Sequence, residues 1–420
     1  MTEIDTCAGA ITRVPGFRAA GVACGLKQNG QPDLALVVCD QAAHAAGVFT
    51  TNAFRAAPVE YDAALLARSR PAQRWAVVVN AGNANACTGE QGLRDAERMA
   101  RLAEGVLSLP PDSVLVMSTG VIGHLMPMEK VELGIRAAAL VLSLSGGADA
   151  ARAIMTTDLA PKEAYNNIQM GGGSISIGGM AKGSGMIHPS LARPAPVSEN
   201  TAGRHATMLS VIVTDAGVEA EALQTALDAA VNASFNRITV DGDTSTNDTV
   251  LLLASVAAGG PQILSGSEDY RSFQAALTGV CVSLAKQIAR DGEGATRLVE
   301  IVVRGAVTDA DAERAAKTVA TSPLVKTAIF GADPNWGRIL AAVGRSGAQV
   351  EPARANLWLG AIHLVAVGMP LPFDMELARS VLKSDEVGIT VDLGLGAGQA
   401  TVWTCDLSYK YVEINAEYHT

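Results

Sequence analysis

Apolar and polar positions alternate along this chain in two ways, as short unbroken apolar runs and as longer stretches with helical spacing. The short runs include Asp33–Asp40 (DLALVVCD), Trp75–Gly82 (WAVVVNAG) and Ser113–Gly120 (SVLVMSTG), and each ends in small or polar residues. Runs of this length and composition predict buried strands. Between the last two, Gly92–Leu107 repeats its apolar residues at helical spacing, which predicts an amphipathic helix.

The second half of the chain repeats this mixture, and the glycine-rich Met170–Met186 indicates a hairpin followed by a tight loop. The chain is therefore predicted to be mixed α/β, although the pattern by itself selects no topology. The helices expected in the second half are 220–235 and 270–289, and the strands are 297–305, 355–368 and 388–396.

Length and composition predict a compact protein. A chain of 420 residues is long enough for two lobes or one large α/β body. Of these residues, 49% are apolar and 18% are charged, which suits a compact core. The net charge of −10, without a long basic run, argues against nucleic acid as a partner. Apolar segments such as Val250–Ala258 are too short to span a bilayer. Because Met1–Asp5 is polar and acidic, no secretory signal is expected. We therefore expect a cytoplasmic location.

Several standard sites are not predicted. The six cysteines form no C-x-x-C pair, so neither a zinc site nor a disulfide framework is indicated. Asp241–Asp248 (DGDTSTND) resembles a calcium loop but lacks its glycine and its closing glutamate, so we interpret it as a turn before the strand Thr249–Ala254. No metal and no cofactor are expected, and neither a G-x-S-x-G elbow nor a nucleotide-binding glycine motif occurs.

One threonine stands between a Pro-rich, loop-like segment and an apolar run. Thr207 follows Ala206 and precedes Met208–Val213. A threonine hydroxyl is a poor nucleophile without a base, and no clear catalytic partner is evident nearby. Cleavage between Ala206 and Thr207 would give Thr207 a free α-amine, whose reference pKa of about 7.7–8.0 allows it to accept the hydroxyl proton. An Ala-Thr pair alone does not establish this chemistry.

Longer motifs carry a family resemblance. The chain is similar to the glutamate N-acetyltransferase/ornithine acetyltransferase family, essentially from end to end. This resemblance implies layered sheets and helices of the N-terminal-nucleophile type, a fold shared with related aminopeptidases. The motifs are STGVIG (118–123), IMTTD (154–158), MAKGSGMIHP (180–189), ATMLSVIVTDA (206–216), DGDTSTNDTVLLLA (241–254), ARDGEGATR (289–297), SPLVKTAIFG (322–331), DPNWGRILAAVGRSG (333–347) and YVEINAEYHT (411–420).

The resemblance implies a self-cleaving enzyme. The precursor would cut itself before Thr207 into an α chain (1–206) and a β chain (207–420), which stay associated and are expected to form a heterotetramer of two α and two β chains. Thr207 would take acetyl from N-acetylornithine, release ornithine and pass the acetyl group to glutamate. Acetyl-CoA is a further possible donor.

The resemblance also assigns site residues. Thr119, through its hydroxyl, and Gly120, through its N–H, would form the oxyanion hole; without the resemblance they would be interpreted as a strand-end turn. A cation at Lys182 could hold a substrate carboxylate, and Glu293 a substrate amino group. Whether Thr156 or Thr157 faces the pocket is left open. The substrate-binding set is Thr156, Lys182, Thr207, Glu293, Asn415 and Thr420.

One segment departs from the family pattern. Leu191–His205 is an insertion of about fourteen residues before the expected cleavage point, and its Pro-, Ala- and Ser-rich composition predicts a flexible surface loop. Two other functions stay open on the residues alone. The first is an N-terminal-nucleophile amidase or aminopeptidase that releases the acyl group to water. The second is a non-enzymatic binding protein in which Thr207 remains uncut.

Overall fold

The structure, a computed structural model, describes residues 4–68, 71–171, 173–194 and 208–417. Ala206, Thr207 and Thr420 therefore lie outside the described residues. The described chain forms two compact units. The first contains the residues up to Asn236 together with Asp243–Ile288, and the second contains Arg237–Gly242 and the residues from Ala289 onward.

The first unit contains two sheets and seven helices in its described part. The smaller sheet has the order β1-β2-β4-β5 and the larger one the order β6-β7-β9-β10-β3-β8. The strands are β1 (Phe17–Val22), β2 (Leu34–Cys39), β3 (Ala43–Thr50), β4 (Ala76–Asn83), β5 (Val114–Val121), β6 (Lys162–Met170), β7 (Gly173–Lys182), β8 (Leu191–Ala192), β9 (Leu209–Thr214) and β10 (Thr249–Ser255). The helices are α1 (Ala10–Arg13), α2 (Ala57–Leu66), α3 (Gly89–Leu107), α4 (Met128–Leu140), α5 (Gly147–Ala153), α6 (Ala220–Asn232) and α7 (Glu268–Arg290).

The smaller sheet is buried on both faces, which explains its unbroken apolar strands. Along β2, Val37 packs into a core shared with Val211 and Leu253 of the larger sheet. The next residue, Val38, packs instead with Met99 of α3 and with helix α4. Successive side chains of a strand point to opposite faces. The layered arrangement of sheets and helices predicted from the sequence is therefore confirmed.

Strand β9 begins in the interior of the larger sheet. It pairs antiparallel with β7, where Lys182 lies opposite Leu209, and parallel with β10, where Leu209 lies opposite Thr249. Strand β7 precedes the expected cleavage point, whereas β9 and β10 follow it. A chain cut there would thus remain joined through the backbone hydrogen bonds of a shared sheet.

The second unit is built on one described six-stranded sheet of order β14-β13-β12-β15-β11-β16. Helix α8 packs on this sheet over a single apolar core. The segment 355–368, predicted as one strand, is a hairpin that turns at Gly360, whose φ of 55° suits glycine. The elements are β11 (Leu298–Ala306), α8 (Asp309–Ala320), α9 (Pro323–Phe330), α10 (Trp336–Gly344), β12 (Asn356–Leu359), β13 (Ile362–Ala366), β14 (Met369–Pro370), α11 (Met375–Leu382), β15 (Glu386–Asp392), β16 (Gly398–Cys405) and α12 (Tyr409–Glu417).

The first residues of the insertion are ordered, which corrects part of the prediction for Leu191–His205. Leu191 is buried in strand β8, and its backbone N–H and C=O both bond the side chain of Asn236. Arg193 donates to Glu221 at 2.8 Å and also contacts Asp228 on helix α6. The surface-loop prediction is therefore wrong for Leu191–Ala192, because these two residues form strand β8 at a sheet edge. Residues 195–205 lie outside the described chain.

The first compact unit includes residues from both sides of the expected cleavage point. The division into 1–206 and 207–420 is a statement about covalent processing and stays a prediction. If that cleavage occurs, each product chain contributes strands to the first unit, so neither product contains that unit alone.

We expect Leu191→Ala to destabilise the protein by about 2 kcal/mol, because the change removes a buried apolar side chain from the sheet edge. Differential scanning fluorimetry should show a lower melting temperature. The matched control is a deletion of residues 197–202. The remaining eight residues between Arg193 and Met208 can extend about 27 Å. Three strand spacings separate β8 from β9, about 14 Å. A deletion as destabilising as Leu191→Ala would contradict this assignment.

Candidate active site

The end of strand β5 carries the two residues predicted to form an oxyanion hole. Thr119 is only 1% exposed. Gly120 has a φ of 130°, and a Cβ atom there would lie 2.3 Å from the carbonyl carbon of Gly82. Only glycine tolerates both the conformation and this close approach. Glycine at position 120 thus follows from the close approach of the paired β4 and β5 ends.

Lys182 reaches Thr119, one of the two residues predicted to form the oxyanion hole, from the end of strand β7. Its Nζ donates a hydrogen bond to Thr119 Oγ1 at 3.1 Å, and its side chain is buried. Because Lys182 also pairs with Leu209, the same residue lies beside the start of β9. Two residues assigned to different roles by the resemblance are therefore in direct contact. Lys182 also lies opposite Leu209, which follows Thr207 by two residues in the sequence.

A buried carboxylate that the sequence analysis did not assign accompanies Lys182. Asp158 Oδ1 accepts hydrogen bonds from Lys162 Nζ at 2.6 Å and from the Gly183 N–H at 2.7 Å. Burial acts to raise the pKa of Asp158, but the charges of Lys182 and Lys162 outweigh it and hold that pKa well below its usual range. Asp158 is thus ionised at every physiological pH. In the sequence, Asp158 is the final residue of the IMTTD motif.

Thr156 joins this cluster through its backbone, whose N–H donates to Asp158 Oδ2 at 2.9 Å. The structure therefore brings Thr156 together with Lys182 and Thr119 in the first unit. Thr156 and Thr157 are both half-buried, so the choice between them stays a prediction.

The residue after Thr207 is held by the turn that resembled a calcium loop. The Met208 N–H donates to Asp248 Oδ1 at 2.8 Å, and the Met208 carbonyl accepts from the Thr249 N–H at 3.1 Å. The turn and the strand after it are confirmed. Nothing in the DGDTSTND segment indicated that Asp248 fixes the backbone at the start of β9.

Glu293 and Asn415 belong to the second unit, where they contact each other. Asn415 Nδ2 donates to Glu293 Oε2 at 2.9 Å. A Cβ atom at Gly294 would lie 2.5 Å from the Tyr411 nitrogen, and Ser408 Oγ donates to the Gly294 carbonyl at 2.6 Å. The glycine therefore permits the close approach that brings the Glu293 loop to helix α12. The sequence offered no sign of this pairing.

Within the described ranges, no group of three or more His, Cys, Asp or Glu side chains could hold a metal ion. The same part of the chain contains no helix that is both long and apolar enough to cross a membrane.

The buried Thr119, in contact with Lys182 beside the start of the interior strand β9, defines a candidate acyl-transfer site. Comparison with known proteins gives the family: residues 18–420 match the ArgJ family model, and the chain belongs to this family. A relative from Symbiobacterium thermophilum, named arginine biosynthesis bifunctional protein ArgJ, is 52% identical over 99% of this chain and 100% of its own length.

Two solved structures are also similar to parts of the chain. The bifunctional ArgJ protein of Bacillus halodurans is 47% identical, with a TM-score of 0.47, and the match covers 49% of this chain and 96% of that one. An ornithine acetyltransferase from Mycobacterium tuberculosis, solved with ornithine, is 41% identical, with a TM-score of 0.41, over 45% of this chain and 100% of that one.

Gly120→Ala should abolish most activity, because the added Cβ would overlap the Gly82 backbone and displace the oxyanion donors. Gly123→Ala is the matched control. Gly123 also has a positive φ, of 82°, but a Cβ there meets nothing within 4 Å. The control should cost about 1–2 kcal/mol of stability and keep most of its activity. Equal losses of turnover in the two variants would refute a special requirement at Gly120.

Proposed function

We propose that this protein is a glutamate N-acetyltransferase of arginine biosynthesis, which moves acetyl from N-acetylornithine to glutamate. Its membership in the ArgJ family supports the proposal, together with a 52% identical relative that bears the name of the bifunctional arginine biosynthesis protein. The observation that carries the proposal is the contact between Thr119 and Lys182 beside the start of β9. That contact assembles an anion-stabilising hydroxyl and a cation next to the expected nucleophile.

Thr207 is the proposed nucleophile. Cleavage of the Ala206–Thr207 bond frees the Thr207 α-amine, which accepts the hydroxyl proton as the oxygen attacks the acetyl carbonyl of N-acetylornithine. Collapse of the tetrahedral intermediate breaks the amide C–N bond, and the proton passes to the leaving ornithine amine. The resulting acetyl ester on Thr207 is then attacked by the amino group of glutamate, and the same steps run in reverse order.

The contact with Lys182 prepares Thr119 for its proposed role. A hydroxyl has one hydrogen to donate and two lone pairs to accept. Since Thr119 Oγ1 accepts from the Lys182 ammonium, its own hydrogen can point toward the developing oxyanion. The neighbouring cation also polarises the hydroxyl, which makes it a stronger donor. Gly120 N–H is the proposed second donor.

Charge complementarity supports amino-acid substrates. The Lys182 ammonium is proposed to hold a substrate carboxylate, and the Glu293 carboxylate a substrate amino group. Thr156, Asn415 and Thr420 are proposed as further substrate contacts. No cofactor takes part in this scheme, and acetyl-CoA is a proposed alternative acetyl donor.

The proposal includes the location and assembly of the enzyme. We place it in the cytoplasm, as a heterotetramer of two α and two β chains. The pairing of β7 with β9 supports lasting association of the two products, because the cut would leave that ladder intact.

The purified protein should consist of two fragments of 206 and 214 residues from the chain of 420. Mass spectrometry should find both masses, and the second fragment should begin with Thr207. Thr207→Ala should stay uncut and transfer no acetyl, because it lacks the hydroxyl. Assays with N-acetylornithine, with and without glutamate, separate a transferase from a hydrolase. Release of acetate independent of glutamate would support the amidase alternative, and an uncut, inactive native chain would support the binding protein.

The pH profile of acetyl transfer should report the Thr207 α-amine. Below its pKa of about 7.7–8.0, kcat/KM should rise about tenfold per pH unit and then level off, because only the neutral amine acts as a base. Asp158 should add no second acidic limb. Its folded-state pKa is depressed, so its stabilisation is present above the unfolded value of about 3.9 and is lost only as the pH falls further. A limb near pH 5 in a protein that remains folded would contradict this assignment.

A further inference from the structure

Asn247 and Asp248 are adjacent residues that hold two different strand ends. Asn247 Nδ2 donates to the carbonyl oxygens of Ala84, at 2.7 Å, and Ser118, at 2.8 Å. Ser118 directly precedes Thr119. Asp248 Oδ1 accepts from the Met208 N–H. Consecutive side chains thus bind the peptide group before the proposed oxyanion residue and the peptide group after the proposed nucleophile.

The Asn247 contact lies where the strand ladder is irregular. The pairing of β4 with β5 shifts at Asn83, which lies opposite both Thr119 and Val121. In addition, β5 is the last strand of its sheet in the described topology. Regular ladder bonds therefore hold the end of β5 less firmly than the middle of the strand, and the Asn247 amide supplies an additional bond there.

The orientation of the Asn247 side chain is fixed by its surroundings. It is only 1% exposed, and its Oδ1 accepts from Thr246 Oγ1 at 2.6 Å. The Asn247 N–H donates to Ser245 Oγ at 3.0 Å. With Oδ1 occupied by a donor, Nδ2 is directed at the two carbonyls. Both ends of the amide are thus engaged, which fixes the orientation that a positioning group needs.

We propose that Asn247 is a positioning residue that orients Thr119, the proposed oxyanion residue, relative to the start of β9. This inference rests on the proposed acetyl transfer. Peptide groups are planar, so a bond to the Ser118 carbonyl also orients the backbone that enters Thr119. Asp248 does the same for the backbone that enters β9 from Thr207. One short turn therefore couples the two halves of the reacting geometry.

Asn247→Asp keeps the shape of the side chain but removes the donor, since a carboxylate only accepts hydrogen bonds. We expect kcat to fall roughly 10–100-fold, the effect of small misplacement, with KM for N-acetylornithine within about threefold because the substrate contacts are unchanged. Asn236→Asp is the matched control. It loses the same kind of bond, to the Leu191 carbonyl at the far edge of the sheet, and should keep its kcat within about twofold.

A double-mutant cycle with Thr119→Ala distinguishes positioning from general destabilisation. Thr119→Ala alone should reduce kcat by about 10²–10³. If Asn247 acts through Thr119, adding Asn247→Asp should cost less than about threefold more. Multiplicative losses, or a loss explained by a rise in KM, would overturn the proposal.

A second variant covers the case in which Asn247→Asp does not fold. Asn247→Ser retains one hydroxyl donor, and the proposal expects an intermediate kcat with KM unchanged. Full activity in Asn247→Ser or in folded Asn247→Asp would overturn the positioning role. Absence of transfer by the unsubstituted, cleaved protein would instead overturn the proposed function itself, and this inference with it.

Discussion

The candidate site depends on the position of strand β9 between β7 and β10. Hydrogen bonds on both sides fix the register of its first residues, with Leu209 opposite Lys182 and Thr249. Every residue of β9 is buried, so a slip by one position would exchange the two buried faces of the strand. The register therefore determines which side chains adjoin the first residues of β9.

Buried charge is the second constraint on the site. Asp158 and Lys162 are both almost completely buried and 2.6 Å apart, and Lys182 is a further buried cation whose charge acts on Asp158. Removing one member of such a buried pair typically costs about 3–5 kcal/mol, because it leaves an uncompensated charge. The negative charge of Asp158 thus acts on the buried Lys182 ammonium. The hydrogen bond from the Gly183 N–H to Asp158 fixes the backbone directly after Lys182. This favours a preorganised cation over a flexible surface lysine.

The family resemblance identified the motifs but not how their residues contact one another. STGVIG and MAKGSGMIHP are far apart in the chain, yet Thr119 and Lys182 are in contact. The IMTTD motif supplied Thr156 as a candidate substrate contact. Its last residue, Asp158, makes more of the hydrogen bonds in this cluster, with Lys162, Gly183 and Thr156 itself. The segment DGDTSTND was interpreted as a turn, and its two final residues hold the ends of β5 and β9. Residues that position others have no distinctive chemistry, so their sequence signal is weak.

The sequence alone determined the mixed α/β class, several buried strands and the three helices α3, α6 and α7, because apolar periodicity reflects burial directly. It also pointed to the family and to Thr119, Gly120 and Lys182, because long motifs preserve reactive groups. Only the tertiary structure decided which of these residues touch, that Glu293 pairs with Asn415, and that Leu191–Ala192 is a strand within a predicted loop. Such contacts join residues 63 or 122 positions apart or depend on a sheet edge formed by other strands. Local patterns do not encode pairings of that kind.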